Sequence, residues 1–262
     1  MNSIVLATIA VGGIGLIFGL LLALAAVIFK VNADERIGKI EEILPGANCG
    51  GCGFAGCSAY ASAIVEKGAN INCCSVGGSQ TVEKIGAIMG KTAEKTEPKV
   101  ARVLCVGTGD KAALKYDYQG VSDCNAASKL AGGQKECEYG CLGYGTCTKV
   151  CQFDAIHIVD GVAKVDEEKC TACGCCVKAC PKNVIELVPK NKKVTVLCKN
   201  KQIGKETMKI CVSGCIGCKI CENKCPFSAI TVTDNLARID YDKCESCGLC
   251  AKLCPKKVII GE

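Results

Sequence analysis

The first thirty residues form the longest apolar stretch of the chain. No charged side chain stands between Asn2 and Phe29, and the apolar run from Ile4 to Phe29 has 26 residues. As a helix this run would be about 39 Å long, enough to cross a hydrocarbon core of about 30 Å. A signal peptide would have a basic start and a shorter apolar region. The pattern therefore predicts a transmembrane helix, with residues 1–30 as a membrane anchor.

Basic residues follow the apolar run but do not precede it. Lys30, Arg36 and Lys39 come directly after it. By the positive-inside rule such a flank stays in the cytoplasm. We therefore expect a single-pass protein of the cell membrane, with everything after the anchor on the cytoplasmic side. Because that compartment is reducing, its cysteines should be thiols or metal ligands rather than disulfides.

Beyond the anchor, the hydrophobic pattern first becomes helical and then alternates. The stretch "ERIGKIEEILPGAN" has a helical period that ends at Pro45, and "SAYASAIVEKG" predicts a helix that ends at Gly68. Two later stretches, "AIHIVDGVAKV" and "AITVTDNLARI", alternate as β-hairpins do, with turn residues in the middle of each. We interpret His157, in the first hairpin, as a strand residue rather than a ligand.

Composition points to metal chemistry. The chain has 26 Cys and one His among its 262 residues, with 4% aromatic residues and no Trp. Cysteine this dense indicates either a small disulfide scaffold or a metal protein, and a cytoplasmic location favours the metal protein. The formal charge of +6 counts every Cys as neutral, whereas thiolate-bound clusters would add negative charge. With no interleaved aromatic residues for base stacking, we expect no nucleic-acid partner.

Three segments share the spacing C-x2-C-x2-C-x3-C-P, which is that of bacterial ferredoxins. Three thiolates of such a motif wrap one [4Fe–4S] cluster, and the fourth, turned away at the proline, ligates the other cluster of a pair. A zinc site would need only two C-x2-C pairs. The segments are "CTACGCCVKACP", "CIGCKICENKCP" and "CESCGLCAKLCP", beginning at Cys170, Cys215 and Cys244.

Pairing requires an even number of motifs, and a fourth, less regular motif occurs in "CEYGCLGYGTCTKVC". Taking Cys137, Cys141, Cys147 and Cys151 as its cysteines gives spacings of x3 and x5 in place of x2 and x2, and Gln152 in place of Pro. Crossing the fourth ligands then predicts four clusters. Their ligands would be Cys137, Cys141 and Cys147 with Cys180; Cys170, Cys173 and Cys176 with Cys151; Cys215, Cys218 and Cys221 with Cys254; and Cys244, Cys247 and Cys250 with Cys225.

The stretch "GANCGGCGFAGC" allows two interpretations. Its glycines match G-x-G-x-x-G, which binds dinucleotides only when it follows a strand, and here a helical pattern precedes it. We therefore interpret it as a metal loop with Cys49, Cys52 and Cys57 as ligands. Cys73 and Cys74 follow the next predicted helix, and either could be the fourth ligand. The spacing alone does not choose between them.

A transmembrane anchor, then cysteines at C-x2-C-x4-C-x16-C, then tandem ferredoxin motifs together resemble the B subunit of the Rnf complex along essentially the whole chain. The spacing in that family selects Cys74 as the fourth ligand. The resemblance implies a component of an ion-translocating ferredoxin:NAD+ oxidoreductase, which couples electron flow to Na+ or H+ transport. Such a component takes electrons from soluble ferredoxin and passes them to other membrane and flavin-bearing subunits. It has no hydride or nucleotide site itself.

The expected fold is α+β, with five [4Fe–4S] clusters. The predicted parts are the anchor at 1–30, a small helical [4Fe–4S] domain at 31–90, a linker at 91–99, and two tandem bacterial-type 2[4Fe–4S] ferredoxin modules at 100–190 and 191–262. The alternative is a polyferredoxin subunit of another membrane hydrogenase or dehydrogenase, which would not need the domain beside the anchor. A zinc-stabilised scaffold without redox function would lack visible colour.

Six cysteines have no ligand role in this scheme: Cys73, Cys105, Cys124, Cys175, Cys198 and Cys211. The triplet "VLC" ends at both Cys105 and Cys198. This repetition fits structural thiol pairs, Cys105 with Cys124 and Cys198 with Cys211, or simply buried apolar cysteines. The lysines between 182 and 205 suggest either a solvated connector or a docking site for ferredoxin. The transported ion and the order of electron flow stay open.

Overall fold

The computed structural model describes residues 3–28, 34–92 and 97–261. Two parts of the predicted organisation lie outside the described residues. These are Lys30, in the basic flank of the anchor, and residues 93–96, in the middle of the predicted linker.

Helix α1 (Ser3–Ile28) is long and apolar enough to cross a membrane. Its stretch Ala7–Ala25 has a mean hydropathy of 2.4, and none of that stretch is buried against the rest of the described chain. A helix that is apolar on every side needs an apolar environment around it. The predicted anchor is therefore compatible with a single-pass membrane helix.

A small helical domain follows the anchor. Its helices are α2 (Glu35–Ile43), α3 (Cys57–Lys67) and α4 (Gly78–Met89). The two helices predicted from the sequence are confirmed, and α3 ends as expected at Gly68, whose left-handed φ of 65° closes the helix. The buried side chains of Ile40, Tyr60, Ile64 and Ile85 form the core between them.

The remainder consists of two α+β units with the same plan, which we call the first unit (97–190) and the second unit (191–261). The first contains β1 (Lys99–Val103), α5 (Cys124–Lys129), α6 (Thr146–Lys149), β2 (Ile156–Val159), β3 (Val162–Val165), α7 (Cys175–Ala179) and β4 (Ile185–Pro189). The second contains β5 (Thr195–Val196), α8 (Gly204–Ile210), α9 (Ile220–Asn223), β6 (Ile230–Thr233), β7 (Leu236–Ile239), α10 (Leu249–Leu253) and β8 (Ile259–Ile260).

Both predicted hairpins are confirmed. Strands β2 and β3 pair antiparallel, as do β6 and β7. Each turn has two residues with positive φ, Asp160 and Gly161 in the first and Asp234 and Asn235 in the second, as a tight hairpin turn requires. His157 lies exposed on β2 opposite Lys164.

The sequence patterns did not predict that the first and last strands of each unit pair with each other. Strand β1 pairs antiparallel with β4, and β5 pairs antiparallel with β8. A buried cation joins the two units. Arg102 on β1 donates one hydrogen bond to the hydroxyl of Thr195 on β5 and another, of 3.1 Å, to the carboxylate of Glu167.

Candidate iron–sulfur cluster sites

The helical domain has a cavity of about 360 Å³ between its first loop and α3. Four cysteines line it: Cys49, Cys52, Cys57 and Cys74. Cys73 is held elsewhere, since its backbone N–H donates a 3.1 Å hydrogen bond to the hydroxyl of Tyr60. That hydroxyl in turn donates to the carbonyl of Asn70 at 2.7 Å. Tyr60, whose side chain is buried, thus shapes the loop so that Cys74, and not Cys73, faces the cavity.

The close approach of neighbouring protein atoms, and not the binding of a phosphate, explains why this loop contains glycine. The side-chain oxygen of Asn48 accepts the N–H of Cys57 at 2.8 Å, and a Cβ at Gly56 would lie 2.8 Å from that same oxygen. A Cβ at Gly51 would lie 2.5 Å from the backbone carbonyl oxygen of Cys173 in the first unit. Among the described residues no strand leads into the loop. It is therefore a cysteine loop that needs glycines.

A single loop conformation occurs four times in the two α+β units. In each case residues i and i+2 have a left-handed backbone conformation, whereas residue i+1 does not. The left-handed pairs are Gly143 and Gly145, Ala172 and Gly174, Gly217 and Lys219, and Ser246 and Gly248. Alternating conformations of this kind turn successive N–H groups into one concavity, as found at phosphate and Fe–S sites.

The residue between each left-handed pair identifies the register of the irregular motif. In three loops it is the second cysteine of the motif: Cys173, Cys218 or Cys247. In the remaining loop it is Tyr144. The irregular motif is therefore Cys141-x2-Tyr144-x2-Cys147-x3-Cys151, with a tyrosine where the others have a cysteine. The sequence interpretation began this motif at Cys137, whereas the loop conformation aligns Cys141 with the first cysteine of the regular motifs.

Two regular sites have their cysteines around separate cavities. A cavity of about 350 Å³ is lined by Cys151, Cys170, Cys173 and Cys176, and also by Cys175. A second, of about 360 Å³, is lined by Cys215, Cys218, Cys221 and Cys254. In both, the structure brings together the residues that the crossed pairing joins.

The last regular set lies in the core of the second unit. Cys244 and Cys250 are buried there, and Cys225 packs against the same core. The sulfur of Cys225 accepts the N–H of Ala229 at 3.4 Å, as the sulfur of Cys151 accepts the N–H of Ala155 at 3.4 Å. The turn after Cys151 thus has the same form although Gln152 replaces proline. Cys218 and Cys247 are the exposed cysteines among the described residues.

Cys147 of the irregular motif has different neighbours from those predicted. Burial, and then the nearby thiols of Cys141, Cys124, Cys180 and Cys176, raise the pKa of its thiol to about 12. Cys137 is not among these neighbours. It faces a separate cavity of about 390 Å³, which is lined by Cys105, Cys137, Cys198 and Cys211.

Hydrogen bonds around Thr146 hold Cys124 near Cys147. The hydroxyl of Thr146 accepts the N–H of Cys124 at 2.7 Å and donates to the carboxylate of Asp123 at 2.8 Å. This bond lowers the pKa of Asp123, which also caps α5 by accepting the N–H of Asn125. The long segment after β1 is thereby fixed to α6. No local pattern in the sequence pointed to Cys124, because its partners are 17 or more residues away.

The buried thiols fit a multi-iron cluster. Burial raises the pKa of Cys176 to about 12 and those of Cys221 and Cys250 to about 11, because a buried thiolate without a nearby cation is unfavourable. Iron supplies that positive charge. The hydroxyls of Thr171 and Ser246, within two cysteine loops, are buried without a hydrogen-bond partner, and cluster or cysteine sulfur is an acceptor for them.

The cysteine groups are also too open for a single ion. A tetrahedral zinc site holds its sulfurs about 2.3 Å from the metal. In the described part of the chain, no three His, Cys, Asp or Glu side chains converge closely enough to hold one metal ion.

The helical domain docks on the first unit beside a cysteine loop. The thiol of Cys175 donates to the carbonyl of Cys49 at 3.2 Å, and the hydroxyl of Ser75 donates to the carbonyl of Ala172 at 3.1 Å. Together with the close approach of Gly51 to Cys173, these contacts put the Cys49 and Cys170 loops side by side. The side chain of Cys175 therefore lies at this interface.

Family models match three cysteine-containing segments of the chain, and curated relatives match it along almost its whole length. An Fe–S cluster model matches residues 44–76, a 4Fe–4S binding domain matches 163–186, and a 4Fe–4S dicluster domain matches 214–258. The B subunit of the ion-translocating oxidoreductase complex of Methanosarcina acetivorans is 46% identical over 99% of both chains.

Two further relatives also match along almost the whole length of this chain. The B subunit of the Na+-translocating ferredoxin:NAD+ oxidoreductase complex of Acetobacterium woodii is 48% identical over 100% of this chain and 79% of its own length. The proton-translocating counterpart from Clostridium ljungdahlii is 42% identical over 99% of this chain and 93% of its own.

The two adjacent cysteines of the helical domain should respond differently to substitution. We expect Cys74→Ala to lose about four iron and four sulfide per chain, because one cluster loses a ligand. Cys73→Ala is the matched control and should retain the iron of the unchanged chain. The measurement is iron and acid-labile sulfide per chain after anaerobic purification. The reverse pattern would assign the ligand to Cys73.

Adding one methyl group at Gly51 should loosen the contact between the helical domain and the first unit. We expect Gly51→Ala to keep its iron but to show faster hydrogen exchange at residues 49–53 and 172–176, because the Cys173 backbone must move away. Gly38→Ala, at an open position on α2, is the control. Unchanged exchange in Gly51→Ala would show that the contact does not hold the two parts together.

Proposed function

Since this chain belongs to the B subunits of ion-translocating oxidoreductase (Rnf) complexes, we propose that it carries electrons from reduced ferredoxin to the membrane subunits of a ferredoxin:NAD+ oxidoreductase. The observation that carries the proposal is the set of cysteine-lined cavities, with the Cys49 loop docked on the Cys170 loop. When bound, [4Fe–4S] clusters take up and release single electrons. Hydride chemistry and ion transport would belong to partner subunits, and either Na+ or H+ is a candidate ion.

The domain organisation we propose follows the boundaries predicted above. Residues 1–30 anchor the chain in the lipid, 31–90 hold one cluster, 91–99 link this domain to the rest, and 100–190 and 191–262 are two ferredoxin modules with two clusters each. The repeated strand and hairpin plan of the two units supports the modules. The basic flank after the apolar run supports a cytoplasmic location for the cluster domains.

We propose five cluster sites from these cavities and loops, with one ligand changed from the sequence prediction. At the irregular site Cys124 replaces Cys137, which is supported by the neighbours of Cys147 and by Tyr144 in the second-cysteine position. The ligand sets are Cys49, Cys52, Cys57 and Cys74; Cys124, Cys141, Cys147 and Cys180; Cys151, Cys170, Cys173 and Cys176; Cys215, Cys218, Cys221 and Cys254; and Cys225, Cys244, Cys247 and Cys250.

The role of the protein at each site is to bind the cluster and tune it. Backbone N–H groups donate to cysteine sulfurs at several sites, as Ala101 does to Cys170, Ala155 to Cys151 and Ala229 to Cys225. Such hydrogen bonds raise the potential of a cluster relative to one without them. Electrons would enter near Cys218 and Cys247, because exposed cysteines bring those sites closest to a docking partner. They would leave through the Cys49 site, which is nearest in sequence to the membrane helix.

The lysines between 182 and 205 are mostly engaged within the chain. Lys199 pairs with Glu186 at 2.6 Å, Lys201 with Asp234 at 3.2 Å, and Lys190 with Glu168 at 3.4 Å. Lys182 donates to the carbonyl of Gly132 at 2.8 Å. Their charge is therefore partly compensated, which supports a role as a connector more than as the docking site. We place ferredoxin docking at the exposed Cys218 and Cys247 loops instead.

Reduced ferredoxin should bleach the visible absorbance of the anaerobically purified full-length chain. We expect the double variant Lys219→Glu/Lys252→Glu, at the Cys218 loop and on α10, to slow this reduction several-fold at low salt, because an acidic partner would be repelled. Stopped-flow mixing gives the rate. Reduction by dithionite, which needs no docking surface, should be unchanged.

A second double variant of equal charge change distinguishes the docking sites. Lys190→Glu/Lys205→Glu should leave the ferredoxin rate close to that of the unchanged chain. Slowing by this pair alone would move the docking site to the 182–205 segment. A colourless chain containing zinc would contradict electron transfer altogether.

The irregular site allows a rescue experiment. Cys124→Ala should lose about four iron per chain, because the site keeps three thiolates. Adding Tyr144→Cys to that variant should restore the iron, since residue 144 occupies the position that Cys218 has in the second unit. Tyr144→Phe added to Cys124→Ala is the control and should restore nothing. Full iron in Cys124→Ala alone would exclude Cys124 as a ligand.

A further inference from the structure

The cavity between the two α+β units is lined by four cysteines that none of the five proposed sites uses. The family models leave all four unmatched: Cys105, Cys137, Cys198 and Cys211. They come in two equivalent pairs. "VLC" ends at Cys105 and at Cys198, and "CEYGC" begins at Cys137 where "CVSGC" begins at Cys211. Each unit therefore contributes the same two cysteines to the cavity.

The four thiols form one group rather than two separate pairs. Cys105 and Cys137 of the first unit and Cys198 and Cys211 of the second unit line the same cavity.

Glycine at position 107 permits cysteine sulfurs from both units to lie close to its backbone. A Cβ there would lie 3.5 Å from the sulfur of Cys105 and 3.9 Å from the sulfur of Cys211. The cavity therefore has sulfur from both units close to one wall, and that wall is the backbone of the segment after β1.

Backbone amides donate to these sulfurs in a repeated pattern. The N–H of Cys141 donates to the sulfur of Cys105 at 3.4 Å, and the N–H of Cys215 donates to the sulfur of Cys198 at 3.4 Å. The N–H of Gly107 gives Cys105 a second donor at 3.4 Å. Hydrogen bonds of this kind stabilise thiolates that ligate a cluster. Repetition in both units indicates that the cavity is built for negative sulfur.

A buried lysine at the same cavity indicates a buried negative charge. The side chain of Lys135 is 3% exposed and lines the cavity. Its ammonium group donates to the carbonyls of Gly107 and Gly161. It takes part in none of the ion pairs found among the described residues. A buried ammonium is unfavourable unless an anion is near, and four thiolates around iron would supply that anion.

We propose that Cys105, Cys137, Cys198 and Cys211 hold a sixth [4Fe–4S] cluster at the junction of the two units. Of the two thiol pairs suggested by the sequence, Cys105 with Cys124 does not fit, since Cys124 lies near Cys147 and is not among the residues that line this cavity, whereas Cys198 and Cys211 both line it. With this site, 24 of the 26 cysteines are ligands. The two left over are Cys73, which bonds to Tyr60 through its backbone, and Cys175, at the interface with the helical domain.

The proposal rests on the electron-transfer function proposed above and completes it. Cys141 and Cys215 ligate the neighbouring sites in the first and second units, and each also donates its N–H to a sulfur of the central site. One peptide group thus separates the central site from the site on either side. An electron passing between units would oxidise one neighbour and reduce the other by one electron, without proton transfer or bond cleavage.

Iron and acid-labile sulfide of the full-length, anaerobically purified chain test the proposal. Six sites predict about 24 of each per chain. The double variant Cys198→Ala/Cys211→Ala should contain about 20 of each, and so should Cys105→Ala/Cys137→Ala, because either pair belongs to the same cluster. The quadruple variant should also contain about 20, with no further loss. Cys73→Ala/Cys175→Ala is the matched control and should keep about 24.

Several outcomes would overturn the central site. One is about 20 iron in the unchanged chain with no loss in either double variant. Additive losses from the two pairs would show that they do not share one cluster. One zinc per chain that disappears in the double variants would make this a zinc site. A chain without any iron would instead contradict the electron-transfer function itself, so the two failures are distinguishable.

Discussion

The structure depends on the burial of cysteine thiols, whose ionised form is unfavourable there unless a cation is near. Four of the twelve buried residues in the core of the second unit are cysteines, Cys215, Cys221, Cys244 and Cys250, and the chain has few aromatic side chains to replace them. Small cores of this kind bury too little apolar area to be stable without added ligation. Thiols with raised pKa values hold their protons until iron supplies a compensating charge. Cluster binding and folding of each unit are therefore expected to be coupled.

Features that depend on nearby residues could be predicted from the sequence, whereas features that depend on distant residues could not. The hairpins and the regular cysteine loops are local, so residue type and spacing over about ten positions are enough to specify them. The pairing of β1 with β4 was not predicted because its strands lie more than 80 residues apart and each is short. The choice of Cys74 over Cys73 depends on hydrogen bonds to Tyr60, which spacing does not reveal.

The register of the irregular motif is contained in the sequence, although the count of cysteines hides it. Aligning "CEYGCLGYGTCTKVC" with "CVSGCIGCKICENKC" places Cys137 opposite Cys211, Cys141 opposite Cys215 and Tyr144 opposite Cys218. The misleading signal is that the segment contains four cysteines, the number that one motif needs. Internal repetition between the two units is the stronger evidence, since it compares equivalent positions rather than totals.

The proposed ligand Cys124 would supply, from a distant part of the chain, the thiolate that Tyr144 cannot. The first unit has 35 residues between Cys105 and Cys141, where the second has 16 between Cys198 and Cys215. The longer segment includes α5, whose first residue is Cys124, and Thr146 fixes that end of α5 beside Cys147. A tyrosine at position 144 is tolerable only if another thiolate reaches the site, and the extra residues give the chain the length to bring one there. The tyrosine and the longer segment are thus best understood as a single change: without the segment the site would be one ligand short, and with a cysteine at 144 the segment would bring a fifth thiol to a four-ligand cluster.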